Sequence, residues 1–196
     1  MNQPLENIKD FDIILASGSP RRRELLGMLD VDFRVDTSHG VDETVPEGVS
    51  PMDVAPYLSQ LKASAYPLTK DDGKLVITAD TVVIIDDEVL GKPADENEAC
   101  EMLEKLQGRV QTVVTGVTVR TYNKSVTFRA ESKVEFAKLS RPEIEYYVRK
   151  YKPLDKAGAY GIQEWIGAAG IKGIEGSFYN VMGLPVHRLY ECLKNF

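Results

Sequence analysis

The sequence predicts an α/β fold with a mixed sheet, and three observations lead to that prediction. Short apolar runs alternate along the chain with segments whose apolar residues recur at helical spacing. Two β-rich segments, 110–121 and 125–137, are joined by Tyr122-Asn123-Lys124, which predicts a long hairpin. No internal repeat, low-complexity tract or linker interrupts the 196 residues. We therefore expect one continuous domain over residues 1–196, with strands and helices in alternation plus the hairpin.

The chain is expected to begin with a strand, a tight turn and a helix. Residues 11–16 are predicted to form the strand, and Ser17-Gly18-Ser19 the turn. Ser19 is the expected N-cap and Pro20 the first helical residue, where its missing N–H is harmless. The predicted core face of this helix consists of Leu25, Leu26, Met28 and Leu29. Residues 33–36 are expected to form a second strand, followed by a polar loop through Glu47.

The next two predicted elements are a helix and an apolar strand. An N-cap at Asp53 would place Pro56 in the first helical turn, where proline is tolerated. The face shared by apolar residues would then be Val54, Leu58, Leu61 and Ala65. Residues 75–79 are predicted to form a strand that ends at Asp80-Thr81. Apolar residues resume at Val82, and a turn is expected at Asp86-Asp87.

Helix signals dominate the remainder of the chain. Asp95 and Glu98 form a predicted capping box for a helix that Gly108 closes, and Ser140 with Glu143 form another. The glycine-rich segment 158–183 is too irregular to assign in detail. Pro185 is expected to open a final helix that runs to the C-terminus.

Composition and charge exclude several classes of function. Hydrophobic residues make up 43% of the chain and charged residues 28%, as in ordinary globular proteins. No apolar run approaches the roughly 18 residues of a membrane span, and the N-terminus lacks the pattern of a signal peptide. The net charge of −6 disfavours nonspecific binding to nucleic acid or anionic membranes. The two cysteines, Cys100 and Cys192, are interpreted as buried, inert thiols of a cytoplasmic protein.

The turn and helix start at residues 17–23 form the first candidate site. Three consecutive arginines, Arg21 to Arg23, stand where the helix dipole disfavours cations by about 0.3–1 kcal/mol each. A bound anion resolves that conflict, because N–H groups, the hydroxyls of Ser17 and Ser19 and the guanidinium groups together suit phosphate. An equally good interpretation at this point is that the arginines extend into solvent or pair with carboxylates elsewhere.

Three further segments carry weaker signals. Asp80 follows an apolar strand, where a carboxylate can hold a divalent ion or accept a proton from water; a turn-capping aspartate is the plainer interpretation. Lys92, between a glycine and a proline, suits a phosphate-binding loop or an ordinary surface turn. The segment 155–163 contains glycines that permit close approach of a ligand, and Gln163 offers an amide to a base edge. Tight packing between strands explains the same glycines.

Familiar nucleotide and hydrolase motifs are absent from the sequence. There is no G-x-x-x-x-G-K-[ST] loop, no G-x-G-x-x-G and no G-x-S-x-G elbow. Two histidines, His39 and His187, are too few for a zinc site of their own. His39 is interpreted as part of a polar loop and His187 as a helix residue.

Taken together, the candidate segments resemble the Maf family of nucleotide pyrophosphatases, which are similar in fold to the inosine-triphosphate pyrophosphatases. Each piece is weak alone, but they occur in family order over nearly the whole chain. The matching residues are 15–26 (LASGSPRRRELL), Asp42-Glu43, Lys62-Ala63, 79–83 (ADTVV), 90–93 (LGKP), 115–117 (TGV), 155–163 (DKAGAYGIQ) and 180–185 (NVMGLP). The resemblance implies a twisted mixed sheet with flanking helices and a central cleft.

The resemblance also implies roles for individual residues. Asp80 would be the proton acceptor, and Glu43 with Asp80 would hold a divalent cation such as Mg²⁺, Mn²⁺ or Co²⁺. The residues implied to surround the triphosphate are Ser17, Ser19, Arg21, Arg22, Lys62, Lys92 and Lys156. The positions that separate substrate classes in the family correspond to Arg21, Thr81 and Gln163. This Arg, Thr, Gln combination is similar to the dTTP/UTP branch, whereas the 7-methyl-GTP branch carries Trp, Gln and Glu.

The sequence departs from the family pattern at two places. Gln111 stands where many members have a histidine, and its position in a strand indicates a structural role. The segment Glu164-Trp165-Ile166-Gly167 is bulkier than the glycine-rich turn expected there.

The implied activity is hydrolysis of a nucleoside triphosphate to the monophosphate and pyrophosphate. The family resemblance further implies a cytoplasmic homodimer with a house-cleaning role in nucleotide metabolism and a link to septum formation, without nucleic-acid or membrane partners. Two alternatives remain open. One is a pyrophosphatase for another phosphoanhydride, such as a modified nucleotide. The other is a nucleotide-binding regulator of cell division with weak catalysis, against which the two carboxylates argue.

Overall fold

A computed structural model describes residues 4–196, and its regular elements follow the predicted alternation. The strands are β1 Asp12–Leu15, β2 Arg34–Val35, β3 Lys74–Ile85, β4 Glu88–Leu90, β5 Val110–Arg120, β6 Ser125–Phe136 and β7 Ile171–Glu175. The helices are α1 Pro20–Gly27, α2 Pro51–Ala65, α3 Glu96–Leu106, α4 Arg141–Tyr151, α5 Trp165–Gly170, α6 Phe178–Met182 and α7 Val186–Lys194. Two short 3₁₀ helices lie at Glu6–Ile8 and Ala157–Ala159.

The strands form one mixed sheet, as predicted. Its order is β2-β1-β3-β5-β6-β7, and β4 pairs with β3 outside this path to give seven strands. Strand β1 is parallel to both β2 and β3, whereas the β3/β4 and β6/β7 pairs are antiparallel. Parallel strands joined through helices together with hairpins are what the α/β prediction requires.

The chain divides into two compact units. Unit 1 comprises residues 4–80, Thr115–Ala130 and Gly183–Phe196, and unit 2 comprises Thr81–Val114 and Glu131–Met182. The single domain over residues 1–196 stays a prediction. No helix within residues 4–196 combines the length and the apolar character that crossing a membrane requires.

In unit 1, the predicted strand, turn and helix at the start of the chain are confirmed. Ser19 caps α1, and Pro20 is its first residue. Leu25 and Leu26 are fully buried. Met28 was wrongly assigned to the core face: α1 ends at Gly27, so Met28 lies beyond the helix and is 48% exposed.

Helix α2 begins earlier than the sequence suggested. Its first residue is Pro51, and Ser50 rather than Asp53 is the N-cap, so Pro56 lies inside the helix. Proline has no N–H to donate to the carbonyl four residues earlier, which belongs to Met52. The guanidinium of Arg129 donates to that carbonyl instead, at 3.4 Å from Nη1 to the oxygen. The hydrogen bond from Arg129 in β6 therefore satisfies the carbonyl that Pro56 leaves without a helical donor, and this allows a proline inside α2.

The backbone of α2 also lies directly against β5. A Cβ atom added at Gly116 would lie 2.2 Å from the nitrogen of Pro56. Only glycine permits this approach, which explains why the sequence has Gly between Thr115 and Val117. The buried residues of α2 are Val54, Ala55, Leu58, Ser59 and Ala63, so Ala65 of the predicted face lies at the exposed end.

The C-terminal end of α2, which carries Lys62, is closed by a side chain from β5. Nη1 of Arg120 donates to the carbonyl oxygens of Ala63, Ser64 and Tyr66, the last at 3.2 Å. A cation is favourable at the negative end of a helix dipole and satisfies carbonyls that have no helical partner.

Replacing Arg120 by Met is expected to lower the free energy of unfolding by about 1–3 kcal/mol, because two partly buried carbonyls, those of Ala63 and Tyr66, lose a charged donor. Urea denaturation of both proteins measures the difference. Arg149→Gln is the matched control: Arg149 pairs with Glu145 on the surface of α4, and a loss below about 1 kcal/mol is expected there. Equal stability of Arg120→Met and the parent would contradict the capping role.

Strand β3 does not end at Asp80-Thr81, which corrects the prediction from the sequence. It runs without a break from Lys74 to Ile85, so Asp80 lies in its interior. The two polar residues are partly exposed between buried stretches, and a strand tolerates such an interruption because its backbone ladder does not depend on side chains. The predicted turn at Asp86-Asp87 is confirmed; both residues have positive φ and join β3 to β4.

In unit 2, the helix caps predicted from sequence are present. Asp95 accepts from the backbone N–H groups of Asn97 and Glu98 at the start of α3. The full reciprocal capping box occurs at Ser140 and Glu143, which open α4. The glycine-rich segment that could not be assigned contains α5, β7 and α6.

Candidate functional site

The turn before α1 is organised by the two predicted serines. Oγ of Ser17 accepts from the N–H of Ser19 at 3.3 Å, and Oγ of Ser19 accepts from the N–H of Arg22 at 3.5 Å. These bonds hold the first turn of α1 in place. A surface cavity of about 520 Å³ borders residues 17–20 together with Arg23 and Phe33, so this turn can be reached by a small molecule.

Arg22 joins three segments of unit 1. Its Nε donates to the carbonyl of Gly183 at 2.9 Å, and Nη1 donates to the carbonyl of Ala79 at 2.8 Å and to Oγ of Ser17 at 3.4 Å. Burial lowers the pKa of its guanidinium, and the carboxylate of Asp80 opposes that shift. Arg22 thus fixes the start of α1 beside the residue that precedes Asp80 in β3.

Arg21 is half-buried next to Arg22, and Arg23 is exposed. Burial is the main cause of the lowered pKa of Arg22, and the positive charge of Arg21 lowers that pKa further. Two carbonyls and the hydroxyl of Ser17 accept from Arg22 in the folded protein, so the consecutive cations are partly compensated, and an anion at this position would add a further acceptor.

Lys62 brings two distant carboxylates together. Its Nζ lies 2.6 Å from Oδ1 of Asp80 and 2.9 Å from Oε2 of Glu43. The side chain of Asp80 is 14% exposed and that of Glu43 52%, so the pair extends from a partly buried strand to the surface. Two carboxylates that converge on one cation form a centre with a net negative charge.

The loop that carries Glu43 is anchored at its beginning. The hydroxyls of Ser38 and Tyr66 donate to Asp36 at 2.6 and 2.7 Å, and these bonds hold the pKa of Asp36 below its usual range. The ring of His39 packs edge-on against Tyr66, with 4.8 Å between centroids. His39 therefore takes a packing role in this loop.

The carboxylates suit a divalent cation that the substrate helps to hold. Within residues 4–196, no group of three or more His, Cys, Asp or Glu side chains is arranged to bind a metal. Two carboxylates are nevertheless what Mg²⁺ commonly takes from a protein, with phosphate oxygens and waters as its other ligands. The donor set of Glu43 and Asp80 fits that pattern.

Unit 2 holds the other predicted residues. The ammonium of Lys156 lies 2.7 Å from Asp155 and 3.2 Å from Glu164. Gly158 has a φ of +65°, and a Cβ there would lie 2.9 Å from Val83. The N–H of Gly158 donates to the carbonyl of Gly91 at 3.0 Å. The structure therefore brings the segment containing Lys156 against the loop that presents Lys92.

The remaining predicted residues differ in exposure. Lys92 and Gln163 are exposed, and Thr81 is half-buried. Gln111 is 1% exposed, and its Nε2 donates to the hydroxyl of Tyr160 at 3.4 Å. That burial supports the structural role expected of Gln111 at the position where the family has histidine.

Two residues escaped the sequence analysis as contributors to this region. Tyr147 lies in a segment that the sequence predicted only to be helical, and Glu164 stood out only as a bulky departure from a glycine-rich turn. In the structure, the hydroxyl of Tyr147 donates to Glu164, which pairs with Lys156. No spacing rule connects these positions, because a bend in an irregular segment brings them together.

Comparison with known proteins identifies the sequences that this chain resembles. A family model described as "Maf-like protein" matches residues 12–196. A dTTP/UTP pyrophosphatase of Parabacteroides distasonis is 54% identical, with 98% of this chain and 100% of the relative covered. Proteins of the same name from Porphyromonas gingivalis and Flavobacterium psychrophilum are 51% and 44% identical; the alignments cover 98% and 100% of this chain and 98% of each relative.

Solved structures agree with the fold. A Ham1 protein from Staphylococcus aureus superposes with a TM-score of 0.53 at 18% identity, covering 94% of this chain and 98% of that one. A HAM1 protein from Coxiella burnetii gives a TM-score of 0.51 at 18% identity, covering 95% and 100%. At this identity the likeness concerns the fold alone, and it confirms the predicted α/β class with a mixed sheet.

Proposed function

The chain belongs to the Maf family, and from that membership we propose that it hydrolyses nucleoside triphosphates, with dTTP and UTP preferred, to the monophosphate and pyrophosphate. Full-length relatives at 44–54% identity carry the name dTTP/UTP pyrophosphatase. The observation that carries the proposal in this chain is the centre in which Lys62 joins Glu43 and Asp80, with Arg22 fixed nearby.

The proposed reaction is attack of water on the α-phosphorus. A new bond forms between the water oxygen and phosphorus while the bond from phosphorus to the bridging oxygen of pyrophosphate breaks. Asp80 accepts the proton that the water loses, and pyrophosphate leaves as an anion. The cationic side chains near Asp80 offset the charge that develops on the phosphate oxygens, which lowers the barrier.

The phosphate contacts are assigned, as the family resemblance implies, to cationic and hydroxyl side chains. These are Ser17, Ser19, Arg21, Arg22, Lys62, Lys92 and Lys156. Their support is the family resemblance, the accessibility of the turn and the cluster of cations at the start of α1.

A divalent cation is part of the proposal, with Glu43 and Asp80 as its protein ligands and Mg²⁺, Mn²⁺ or Co²⁺ as candidates. When bound, it would neutralise phosphate charge. Lys62 competes for the same carboxylate oxygens, so substrate phosphates are expected to attract its ammonium as the cation binds.

The proposal also covers the oligomeric state, the cellular role and the location of the enzyme. Homodimer formation, the house-cleaning role and the link to septum formation rest on the family resemblance. The cytoplasmic location is supported by two cysteines, Cys100 and Cys192, that are both free thiols. Burial raises the pKa of each thiol, which favours the inert role expected of them.

Base selectivity is assigned to Arg21, Thr81 and Gln163. The amide of Gln163 offers a donor and an acceptor that match the O4 and N3–H edge of uracil and thymine. A polar group that loses its partner on binding a wrong base incurs a penalty, so a factor of about 100 over ATP, GTP and 7-methyl-GTP is expected.

The test is kcat/KM for dTTP, UTP, ATP, GTP and 7-methyl-GTP with the parent and Gln163→Glu. The parent should lead with dTTP and UTP, and the variant should lose most of that preference while its melting temperature stays within a few degrees, because Gln163 is exposed. A purine triphosphate as the best substrate of the parent would contradict the assigned preference.

A further inference from the structure

Lys156 has an unusual environment for a lysine. It is 8% exposed, and no other charged residue within residues 4–196 is as buried. Two carboxylates compensate for this burial: Asp155 at 2.7 Å and Glu164 at 3.2 Å from Nζ. A buried ammonium needs such partners, because its charge is costly to remove from water without them.

Glu164 is held in place from its other side. Its Oε1 faces Lys156, while its Oε2 accepts a hydrogen bond from the hydroxyl of Tyr147. Tyr147 is fully buried, and its hydroxyl oxygen accepts from the N–H of Gly161 at 3.0 Å. Burial, then the bond to Glu164, raises the pKa of Tyr147, so the hydroxyl remains a donor.

Gly161 permits this arrangement. A Cβ atom at that position would lie 2.8 Å from Cδ of Glu164 and 3.0 Å from Cε of Lys156. The carboxylate and the lysine chain therefore pack directly over the glycine backbone. A side chain at 161 would displace both groups, which accounts for the glycine within the segment 155–163.

The two carboxylate partners of Lys156 differ in exposure. The side chain of Glu164 is 18% exposed and bonded to buried Tyr147, whereas that of Asp155 is 56% exposed. An ammonium has three donors, and a phosphate oxygen that approaches it competes with the carboxylates already present. The more exposed carboxylate regains water when it is displaced, so its release costs less.

We propose that Glu164 is a positioning residue that holds the Lys156 ammonium for the triphosphate, and that Asp155 is the partner which a phosphate oxygen displaces. The inference rests on the proposed function, since it takes Lys156 as a phosphate contact. The proposed role explains why a glutamate occupies position 164, in a segment where the sequence led us to expect a glycine-rich turn.

Replacing each of the two carboxylates by its amide is then expected to have a different effect on KM. Glu164→Gln should raise KM for dTTP about tenfold with a smaller change in kcat, because a misplaced ammonium weakens substrate binding. Asp155→Asn should leave KM unchanged or lower it. Tyr147→Phe should also raise KM. The control is Glu145→Gln, which removes a charge that pairs with Arg141 and Arg149 on α4, and it should change neither constant.

Binding of inorganic tripolyphosphate, measured by calorimetry, provides a readout that does not need turnover. Glu164→Gln should weaken it about tenfold and Asp155→Asn should not weaken it. Unchanged KM and tripolyphosphate affinity in Glu164→Gln, or equal losses in both variants, would overturn the inference. If Glu164→Gln unfolds, Tyr147→Phe decides the question by the same two measurements. A parent that hydrolyses no triphosphate would instead reject the proposed function, and tripolyphosphate binding would still test the positioning role.

Discussion

Replacing Asp80 by Asn is expected to lower kcat by about a thousandfold, because the amide cannot accept the proton that the attacking water loses. The substitution keeps the shape of the side chain, and β3 continues through this position by backbone pairing. Pyrophosphate release from dTTP, measured at saturating substrate, gives the change in kcat.

Asp86→Asn is the matched control for this variant. Asp86 lies in the turn that follows the same strand, has a φ of 52° that Asn also tolerates, and pairs with Arg109 at the surface. Its kcat should equal that of the parent. Melting temperatures must accompany both assays, and a folded Asp80→Asn variant with parental turnover would contradict the assigned proton acceptor.

Replacing Lys62 by Met is expected to raise KM for dTTP about tenfold or more, because the triphosphate loses a cationic contact. The same change leaves Glu43 and Asp80 without the ammonium that joins them. Without the competing ammonium the two carboxylates attract a divalent cation more strongly, so Mn²⁺ should bind the variant more tightly than the parent when nucleotide is absent.

Calorimetric titration with Mn²⁺ and steady-state kinetics provide the two measurements. Lys105→Met is the control, because Lys105 pairs with Glu88 on the surface outside this centre. Weaker Mn²⁺ binding in Lys62→Met than in the parent would show that the lysine supports the cation site rather than competing with it.

Local chemistry made much of the fold predictable from the sequence. Two helix starts were predictable because each is signalled by residues that lie within four positions of one another. These signals are Ser19 with Pro20 and the capping box of Ser140 and Glu143, and the structure has helices that begin at both places. The turn at Asp86-Asp87 follows from the ability of Asp to adopt positive φ.

The failures have a different origin. Local rules placed Pro56 in a first turn, but Arg129 supplies the donor that allows proline inside α2. Likewise, the polar pair Asp80-Thr81 was taken as a strand end, whereas pairing with neighbouring strands carries β3 through it. Contacts between elements decide such cases, and spacing along the chain does not encode them.

The candidate site was predictable as a set of residues but not as an arrangement. The family resemblance named Glu43, Lys62 and Asp80, yet nothing in the sequence indicated that one ammonium joins both carboxylates. Glu164 was visible only as an unexpected residue, because its partners Tyr147 and Lys156 are recognised through folded geometry.

Identification of the products formed from dTTP is the most direct test of the central claim. The purified protein is incubated with dTTP and Mg²⁺, and nucleotides and phosphates are separated by anion-exchange chromatography. Attack at the α-phosphorus predicts dTMP and pyrophosphate in equal amounts, and Asp80→Asn should form neither at a comparable rate. Formation of dTDP and orthophosphate, or no turnover of dTTP and UTP under these conditions, would contradict the account.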